Sequence, residues 1–182
     1  MECEKTILSG AFDVRVAPYN KATPATLADA ISIGLTNGGV ELTSANEKTA
    51  IEVDQLLGSP RFITTKAALG GTINMAEITL ENIAKAFDTA SQPTVDGDKT
   101  VLRIDPNSEK YYTVFLVSKG TYDEATQKTL YRIYHFFKVS FKGTGALNFS
   151  RTEAQNLPLE FDCAMSCDVQ YFGEVYDTAE VA

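Results

Sequence analysis

The stretch that decides the fold is Leu130-Tyr-Arg-Ile-Tyr-His-Phe-Phe-Lys-Val-Ser-Phe-Lys142. Apart from His135, every second residue from Tyr131 to Phe141 is apolar or aromatic, and the residues between them mix apolar with charged and polar types. A period of two predicts a β-strand with one buried face. At about 13 residues the strand is longer than the usual five or six. We therefore expect it to bend across two sheets or to serve a larger surface.

The same alternation recurs in two acidic segments. Near the C-terminus, every second residue from Leu157 to Met165 is large and apolar or a cysteine, and the residues between are Pro158, Glu160, Asp162 and Ala164. Glu160 and Asp162 therefore point together to the face opposite the core. A second segment repeats this pattern, since Ile51 and Val53 alternate with two carboxylates, Glu52 and Asp54. The sequence thus predicts strands that carry carboxylates on their non-core face.

Turn residues divide the rest of the chain into further short strands. We expect strands at residues 12–17, 30–35, 40–43, 62–66, 72–75, 101–104, 111–119, 146–150 and 168–172. The segments between them are rich in turn residues, among them Asn37-Gly38-Gly39, Gly70-Gly71, Asp96-Gly97 and Gly143-Thr144-Gly145. This spacing predicts a mostly β fold, either a β-sandwich or a half-barrel.

One segment has the helical period instead. Leu80, Ile83, Ala84 and Phe87 follow each other at helical spacing, with Thr79 placed to cap the first turn. This pattern predicts one flanking amphipathic helix over residues 80–90, with Ile83 and Phe87 packed on the sheet. A chain of 182 residues then forms a single domain over residues 1–182.

Composition excludes several classes of function. The formal net charge is -8, and so acidic a surface repels phosphate backbones, which argues against ordinary nucleic-acid binding. The longest apolar runs are far shorter than the roughly 20 residues that cross a bilayer, and the N-terminus lacks a signal-peptide core. We expect a protein that is made in the cytosol without a readable export signal and has no membrane partner.

The sequence also lacks a catalytic constellation. The single histidine, His135, lies on the apolar side of its strand, where a core or interface imidazole is the simpler interpretation. Neither the histidine nor Cys163-Ala-Met-Ser-Cys167 makes a metal site. Glu160 with Asp162, or Glu52 with Asp54, has a spacing compatible with a glycosidase pair, but solvent-facing carboxylates explain them better. We expect no enzyme, cofactor or metal.

The three cysteines are Cys3, Cys163 and Cys167, an odd number that internal disulfides cannot use up. Free thiols in a reducing compartment are the simplest interpretation. If one strand runs through Cys163 and Cys167, their Cα atoms lie roughly 13 Å apart, too far for a disulfide. A disulfide would then use Cys3 or another subunit.

The order of several segments resembles the tail tube proteins of tailed bacteriophages. The resemblance covers roughly residues 8 to 90 and rests on four stretches: Leu8-Ser-Gly10 to Pro18, Ile33 to Leu42 with its Gly38-Gly39-Val40, Ile51-Glu-Val53-Asp54-Gln55, and Gly71 to Ile83 with its Glu77-Ile-Thr79-Leu-Glu81-Asn82. These motifs are structural, and no catalytic residue is carried over with them.

The resemblance implies a structural subunit of the virion tail, assembled in the host cytoplasm. Six copies would form a ring whose inner strands join into one multi-subunit barrel, and stacked rings would form a hollow tube that conducts double-stranded DNA without specific binding. Sheath, tape-measure, baseplate and tail-terminator proteins are the further partners implied. Residues 1–8 would be a flexible arm and residues 43–49 an inter-ring hairpin loop, with Ser44, Asn46, Glu47 and Lys48 in contact.

Two further expectations follow. Glu52, Asp54, Glu160 and Asp162 are the carboxylates expected to line the lumen, where repulsion would let a polyanion slide. Inter-subunit disulfides through Cys3, Cys163 and Cys167 would form after particles leave the reducing cytosol. Two alternatives stay open: the tube of a related contractile injection system or phage-tail-like bacteriocin, and a ligand-binding β-sandwich.

Overall fold

The computed structural model describes residues 12–52, 61–89, 91–105, 110–118, 120–123, 127–143, 147, 156–165 and 170–179. The chain is mostly β, with one large antiparallel sheet and one α-helix. Its strands are β1 Phe12–Pro18, β2 Ile31–Ser32, β3 Thr36–Ile51, β4 Arg61–Met75, β5 Thr94–Asp96, β6 Lys99–Val101, β7 Tyr112–Ser118, β8 Thr121–Asp123, β9 Lys128–Phe141, β10 Leu157–Cys163 and β11 Gly173–Thr178. Helix α1 is Leu80–Ala86, and a short 3-10 helix spans Leu27–Asp29.

The sheet curls around a single main core. Its strand order is β2-β1-β7-β9-β10-β4-β3, and yet its two end strands, β2 and β3, are separated by only three residues of chain. Those residues bond to both ends of the sheet: the Ile33 N–H donates to Val14 O at 3.0 Å, and the Ala76 N–H donates to Leu35 O at 2.9 Å. The predicted mostly β fold with one flanking helix is confirmed, and of its two forms the half-barrel describes this sheet.

The long strand β9 joins the two halves of the sheet. It pairs with β7 and β8, and also with β11 and β10, which use successive stretches of β9. The register between β7 and β9 shifts by one residue, because Tyr112 pairs with Val139 while Val114 pairs with Phe136. At this point the buried side chains of β9 change from one face of the sheet to the other. Thr113 therefore lies opposite two residues, and its hydroxyl donates to Phe137 O at 3.0 Å. This is a β-bulge, which switches the buried face of the strand.

The bulge gives β9 two buried faces in succession. Beyond it, Val139 and Phe141 enter the main core, while before it Ile133 packs with Phe115 and Val117 in a second cluster on the other side of the sheet. The largest fully buried side chains of the main core are Phe141, Phe161, Ile73, Met75, Leu116, Leu157 and Leu159. The sequence prediction of one uniform apolar face is thus wrong for this strand.

Helix α1 packs against the core beside the end of β4. Thr79 caps it, since its Oγ1 accepts from the Asn82 N–H at 3.2 Å. The helix ends at Ala86 and not at residue 90, because the Thr89 N–H donates back to Ala84 O and Asp88 adopts a positive φ of 47°. These are the features of a Schellman C-cap. In the first turn of α1, Asn82 is buried and donates through Nδ2 to Ile33 O and Glu77 O.

Two glycine pairs expected in turns lie inside strands instead. Gly38 and Gly39 have φ values of 85° and 81° and form an irregularity within β3 between Thr36 and Val40. Gly70 and Gly71 continue β4 without a break, so that the separate strands predicted at residues 62–66 and 72–75 are one. A Cβ at Gly71 would lie 2.3 Å from Glu41 O, so this close approach of neighbouring strands needs glycine.

One predicted turn is confirmed, and two strands were not predicted. The turn at Asp96-Gly97 is confirmed as the tip of the β5–β6 hairpin. Strand β11 follows the segment predicted at residues 168–172 and was missed, as was β8. Residues 1–8 and nearly all of the strand predicted at residues 146–150 lie outside the described residues.

Candidate functional site

The hairpin of β3 and β4 extends far beyond the body of the sheet. Strand β10 pairs with β4 only as far as Gly70, opposite Asp162. From Ser44 opposite Leu69 to Ile51 opposite Arg61, β3 and β4 have only each other as strand partners among the described residues. We call residues 44–51 with 61–69 the ribbon. Eight residues of strand make it roughly 26 Å long.

The ribbon contains all four residues predicted at the inter-ring contact: Ser44, Asn46, Glu47 and Lys48. They are exposed, but the predicted loop at residues 43–49 is wrong, because this segment is paired strand throughout. The segment lacks glycine and proline, and each of its residues has a partner on β4. Glu47 also forms an ion pair with Lys66 across the strands, at 3.4 Å from Oε1 to Nζ. The contact with another ring stays a prediction.

The far half of the ribbon presents large apolar side chains to solvent. Phe62 is 64% exposed, and its neighbours Ile63 and Ile51 are exposed as well. Neither face of the ribbon packs on the body at this point, since nearly all of its residues are exposed. Apolar side chains gathered in this way mark a surface that contacts something else.

A carboxylate row crosses the non-core face of the sheet at the base of the ribbon. Thr72 pairs with Glu41 on one side and with Glu160 on the other, so these three residues share one row. The next row holds Asp162, whose Oδ1 lies 3.0 Å from Lys142 Nζ. The structure brings Glu160 and Asp162 together as predicted and adds Glu41, which the sequence analysis missed. The alternation of Val40, Glu41 and Leu42 was the available signal.

The predicted lumen-facing set does not form one cluster. Glu52 follows the last residue of β3, at the far end of the ribbon, and is exposed. Nine residue steps separate it from Thr43, which shares a row with Asp162, so the distance along the strand is roughly 30 Å. Asp54 lies outside the described residues. Among the described members, Glu160 and Asp162 therefore share one position on the sheet, and a lumen-facing role for any of the four stays a prediction.

His135 lies in a buried aromatic cage on the second face of β9. Its ring stacks on Phe115 at a centroid distance of 4.2 Å and contacts the edge of Phe137 at 4.4 Å. Nδ1 lies 3.4 Å from Glu174 Oε1 on β11, and Nε2 has no hydrogen-bond partner among the described residues. Burial lowers the pKa of His135, and the hydrogen bond and charge of Glu174 offset part of this effect.

Acidification should destabilise the fold through His135. Because its folded-state pKa is lowered, the stabilising contribution of the neutral imidazole is present above the unfolded value of about 6.5 and is lost as pH falls through the folded pKa. We expect the melting temperature to fall from pH 7.5 to pH 5.5 in the wild type. The His135→Phe variant should fall clearly less. If the melting temperature falls by the same amount between pH 7.5 and pH 5.5 in both proteins, the acid sensitivity is due to other groups.

Cys163 is the only cysteine among the described residues, and it is buried in the main core. Burial, helped by the charge of Asp162, raises the pKa of its thiol to about 12. Because the thiolate is the reactive form, a thiol that stays protonated at neutral pH reacts slowly in disulfide exchange. This disfavours Cys163 as a cross-linking partner. Strand β10 ends at Cys163, so the strand geometry assumed for Cys163 and Cys167 does not hold. Cys3 and Cys167 lie outside the described residues.

No model of a known protein family matches this chain, and no curated protein matches it in sequence. Within the described residues, no helix has the length and apolar character that crossing a membrane requires. In the same part of the chain, no group of histidine, cysteine and acidic side chains is arranged to hold a metal ion.

Proposed function

We propose that this chain is the structural subunit of a bacteriophage tail tube. Six copies form a ring, and rings stack into a hollow tube with an acidic lumen that conducts double-stranded DNA into the host. The observation that carries the proposal is the ribbon, which is half of a long hairpin that extends beyond the sheet and pairs with no third strand among the described residues.

The ribbon needs a neighbour for physical reasons. An isolated two-stranded hairpin is marginally stable in water, and an exposed strand edge with apolar side chains invites association. Nearly all ribbon residues are exposed, Phe62 among them. Contacts with further copies of the same chain would bury these side chains and hold the ribbon in place.

The carboxylate row supports the assignment of a lumen face. Glu41, Glu160 and Asp162 lie on the side of the sheet away from the core, with Lys142 as the cation beside them. Small residues complete the two rows, since Thr72 lies between Glu41 and Glu160. In the next row, Gly70 and Thr43 follow Asp162. A smooth wall with net negative charge repels phosphates and lets DNA move without sticking. The net charge of the whole chain, -8, has the same sign.

Purified protein should assemble by itself. At increasing concentration we expect rings and hollow filaments in negative-stain electron micrographs, with a matching fast species in analytical ultracentrifugation. The tube of a related contractile injection system would give the same particles, and its lumen would carry another cargo. A strictly monomeric protein at high concentration would contradict the proposal and favour a ligand-binding β-sandwich.

Reversing charge on the carboxylate row should make the tube bind DNA. In a variant with Glu160→Lys and Asp162→Lys, the repulsive wall becomes attractive, because affinity for DNA grows with the number of phosphates neutralised. We expect normal assembly and at least tenfold tighter binding of short double-stranded DNA at low salt. A matched variant with two charges reversed on the β5–β6 hairpin, Asp96→Lys and Asp98→Lys, should bind DNA as weakly as the wild type. A similar increase in DNA affinity in both variants would contradict the assignment of Glu160 and Asp162 to the lumen.

A further inference from the structure

A groove of about 760 Å³ lies beside helix α1, between the end of β1 and the start of β7. Its lining includes Ile31 and three tyrosines, Tyr19, Tyr111 and Tyr112. Ile31 is 73% exposed and Tyr111 is 40% exposed, so their apolar groups are open to a molecule that enters the groove. Pockets that bind small organic molecules have volumes of roughly 300 to 1,000 Å³ and a mostly apolar lining. The groove has the size and the surface of such a pocket.

Lys85 brings a half-buried amine to the groove. Among the described residues, its one hydrogen bond runs from Nζ to Glu81 O at 3.5 Å, which is long for such a bond. Burial lowers the pKa of Lys85, and the charge of Glu81 offsets part of this effect. At pH 8 a larger share of this amine is therefore neutral than of a fully solvated lysine, and its nitrogen lone pair is available.

The other two lysines at the groove have different surroundings. Lys138 Nζ lies 4.1 Å from the centre of the Tyr111 ring, as a cation over an aromatic face. Lys110 lines the groove and has an interaction of its own. Of the three lysines, Lys85 is the one that combines partial burial with a single long hydrogen bond.

The lining favours a neutral aromatic ligand with a carbonyl group. Flat rings pack well on tyrosine side chains through offset and edge contacts. The exposed carboxylate of Glu81, at the same groove, disfavours a carboxylate or phosphate ligand because like charges repel. A desolvated lysine amine in an apolar pocket is the nucleophile with which proteins form Schiff bases with carbonyl compounds. Together these features fit an aromatic aldehyde.

We propose that the groove binds a small aromatic aldehyde and that Lys85 captures its carbonyl group as an imine. The Nζ lone pair attacks the carbonyl carbon and forms the new carbon–nitrogen bond. The carbonyl oxygen leaves with the two protons of the neutral amine as one molecule of water. No oxidant or reductant takes part, and hydrolysis reverses the step. The inference concerns a single subunit and is independent of the proposed function.

Reductive trapping tests the capture. The folded protein is incubated at pH 8 with benzaldehyde and sodium cyanoborohydride, which reduces the imine to a stable secondary amine, and labelled lysines are quantified by peptide mass spectrometry. We expect Lys85 to react at least tenfold faster than Lys99, an exposed lysine on the β5–β6 hairpin. The rate at Lys85 should saturate as the benzaldehyde concentration rises, because the groove binds the ring first. The rate at Lys99 should rise linearly.

A groove variant separates binding of the ring from the reactivity of the amine alone. Ile31→Ser removes an apolar side chain that is mostly exposed, so the fold is kept, and it should slow the labelling of Lys85 at least threefold without changing Lys99. The matched control, Val95→Ser, alters the 79% exposed side chain of the β5–β6 hairpin and should be labelled like the wild type. Melting temperatures confirm that both variants are folded.

Three results would overturn the inference: equal rates at Lys85 and Lys99, a rate at Lys85 that does not saturate, or a rate at Lys85 that Ile31→Ser leaves unchanged. In the last case the groove has no part in binding the ring. None of these results bears on assembly, so the proposed function would stand. A strictly monomeric protein would contradict the proposed function, and its labelling would still decide whether Lys85 captures the aldehyde.

Discussion

A chain whose ribbon is cut back to its base should fold and lose assembly altogether. The variant joins Ala45 to Ala68 through an Asn-Gly turn, in place of residues 46–67. These two residues pair directly in the hairpin, and a two-residue turn of this type fits antiparallel strands. None of the described residues in the removed segment belongs to either core cluster, so the body keeps its described core side chains. We expect a melting temperature within a few degrees of the wild type.

The measurement is the sedimentation profile at the concentration where the wild type forms particles. The shortened chain should sediment as a monomer and give empty fields in negative stain. A Val95→Ser variant, which alters the 79% exposed side chain of the other hairpin, should assemble normally. If the shortened chain still forms tubes, the ribbon has no role in assembly. If it fails to fold, the less severe Phe62→Ser variant tests the same contact.

Gly71→Ala should cost about 3 kcal/mol of unfolding free energy, at the upper end of ordinary overpacking effects. A Cβ at this position would lie 2.3 Å from the backbone oxygen of Glu41 and 3.0 Å from the Phe161 ring. Neither group yields easily, because the oxygen belongs to a paired strand and the ring is fully buried in the core. Strands β3 and β4 would have to separate at the base of the ribbon.

Urea unfolding measures this loss. Ala67→Ser, on the same strand but exposed, changes size by a similar amount and should stay within about 0.5 kcal/mol of the wild type. A change of less than 1 kcal/mol in Gly71→Ala would mean that the strands relax around the added methyl group. Since the ribbon begins here, the variant should also assemble poorly at temperatures where it is still folded.

The strand pattern was readable because burial repeats every second residue. Residues 157–163 alternate strictly, and the structure has Leu157, Leu159, Phe161 and Cys163 in the core with Asp162 exposed. Thr79 was readable as a helix cap because capping depends on neighbours in the chain. These local rules predicted the strands and the side of the sheet on which Glu160 and Asp162 lie.

Where local rules failed, a distant part of the chain decided the outcome. Glycine pairs are typical of turns, yet Gly71 continues β4 because Glu41 and Phe161 approach it from neighbouring strands. The bulge in β9 depends on Thr113, which lies far away in sequence. Residues 43–49, expected to form a loop, are part of a strand because each of them pairs with a residue of β4.

The amino-acid sequence by itself determined that the protein is mostly β, acidic and equipped with one short helix, because these properties follow from residue types and their period along the chain. Only the tertiary structure decided how far the ribbon extends, that three tyrosines next to the end of β1 and at the start of β7 line one groove beside α1 with two lysines, and that Glu41 joins Glu160 in one row. Register between strands fixes such neighbours, and register is a property of the paired backbone that one strand alone does not contain.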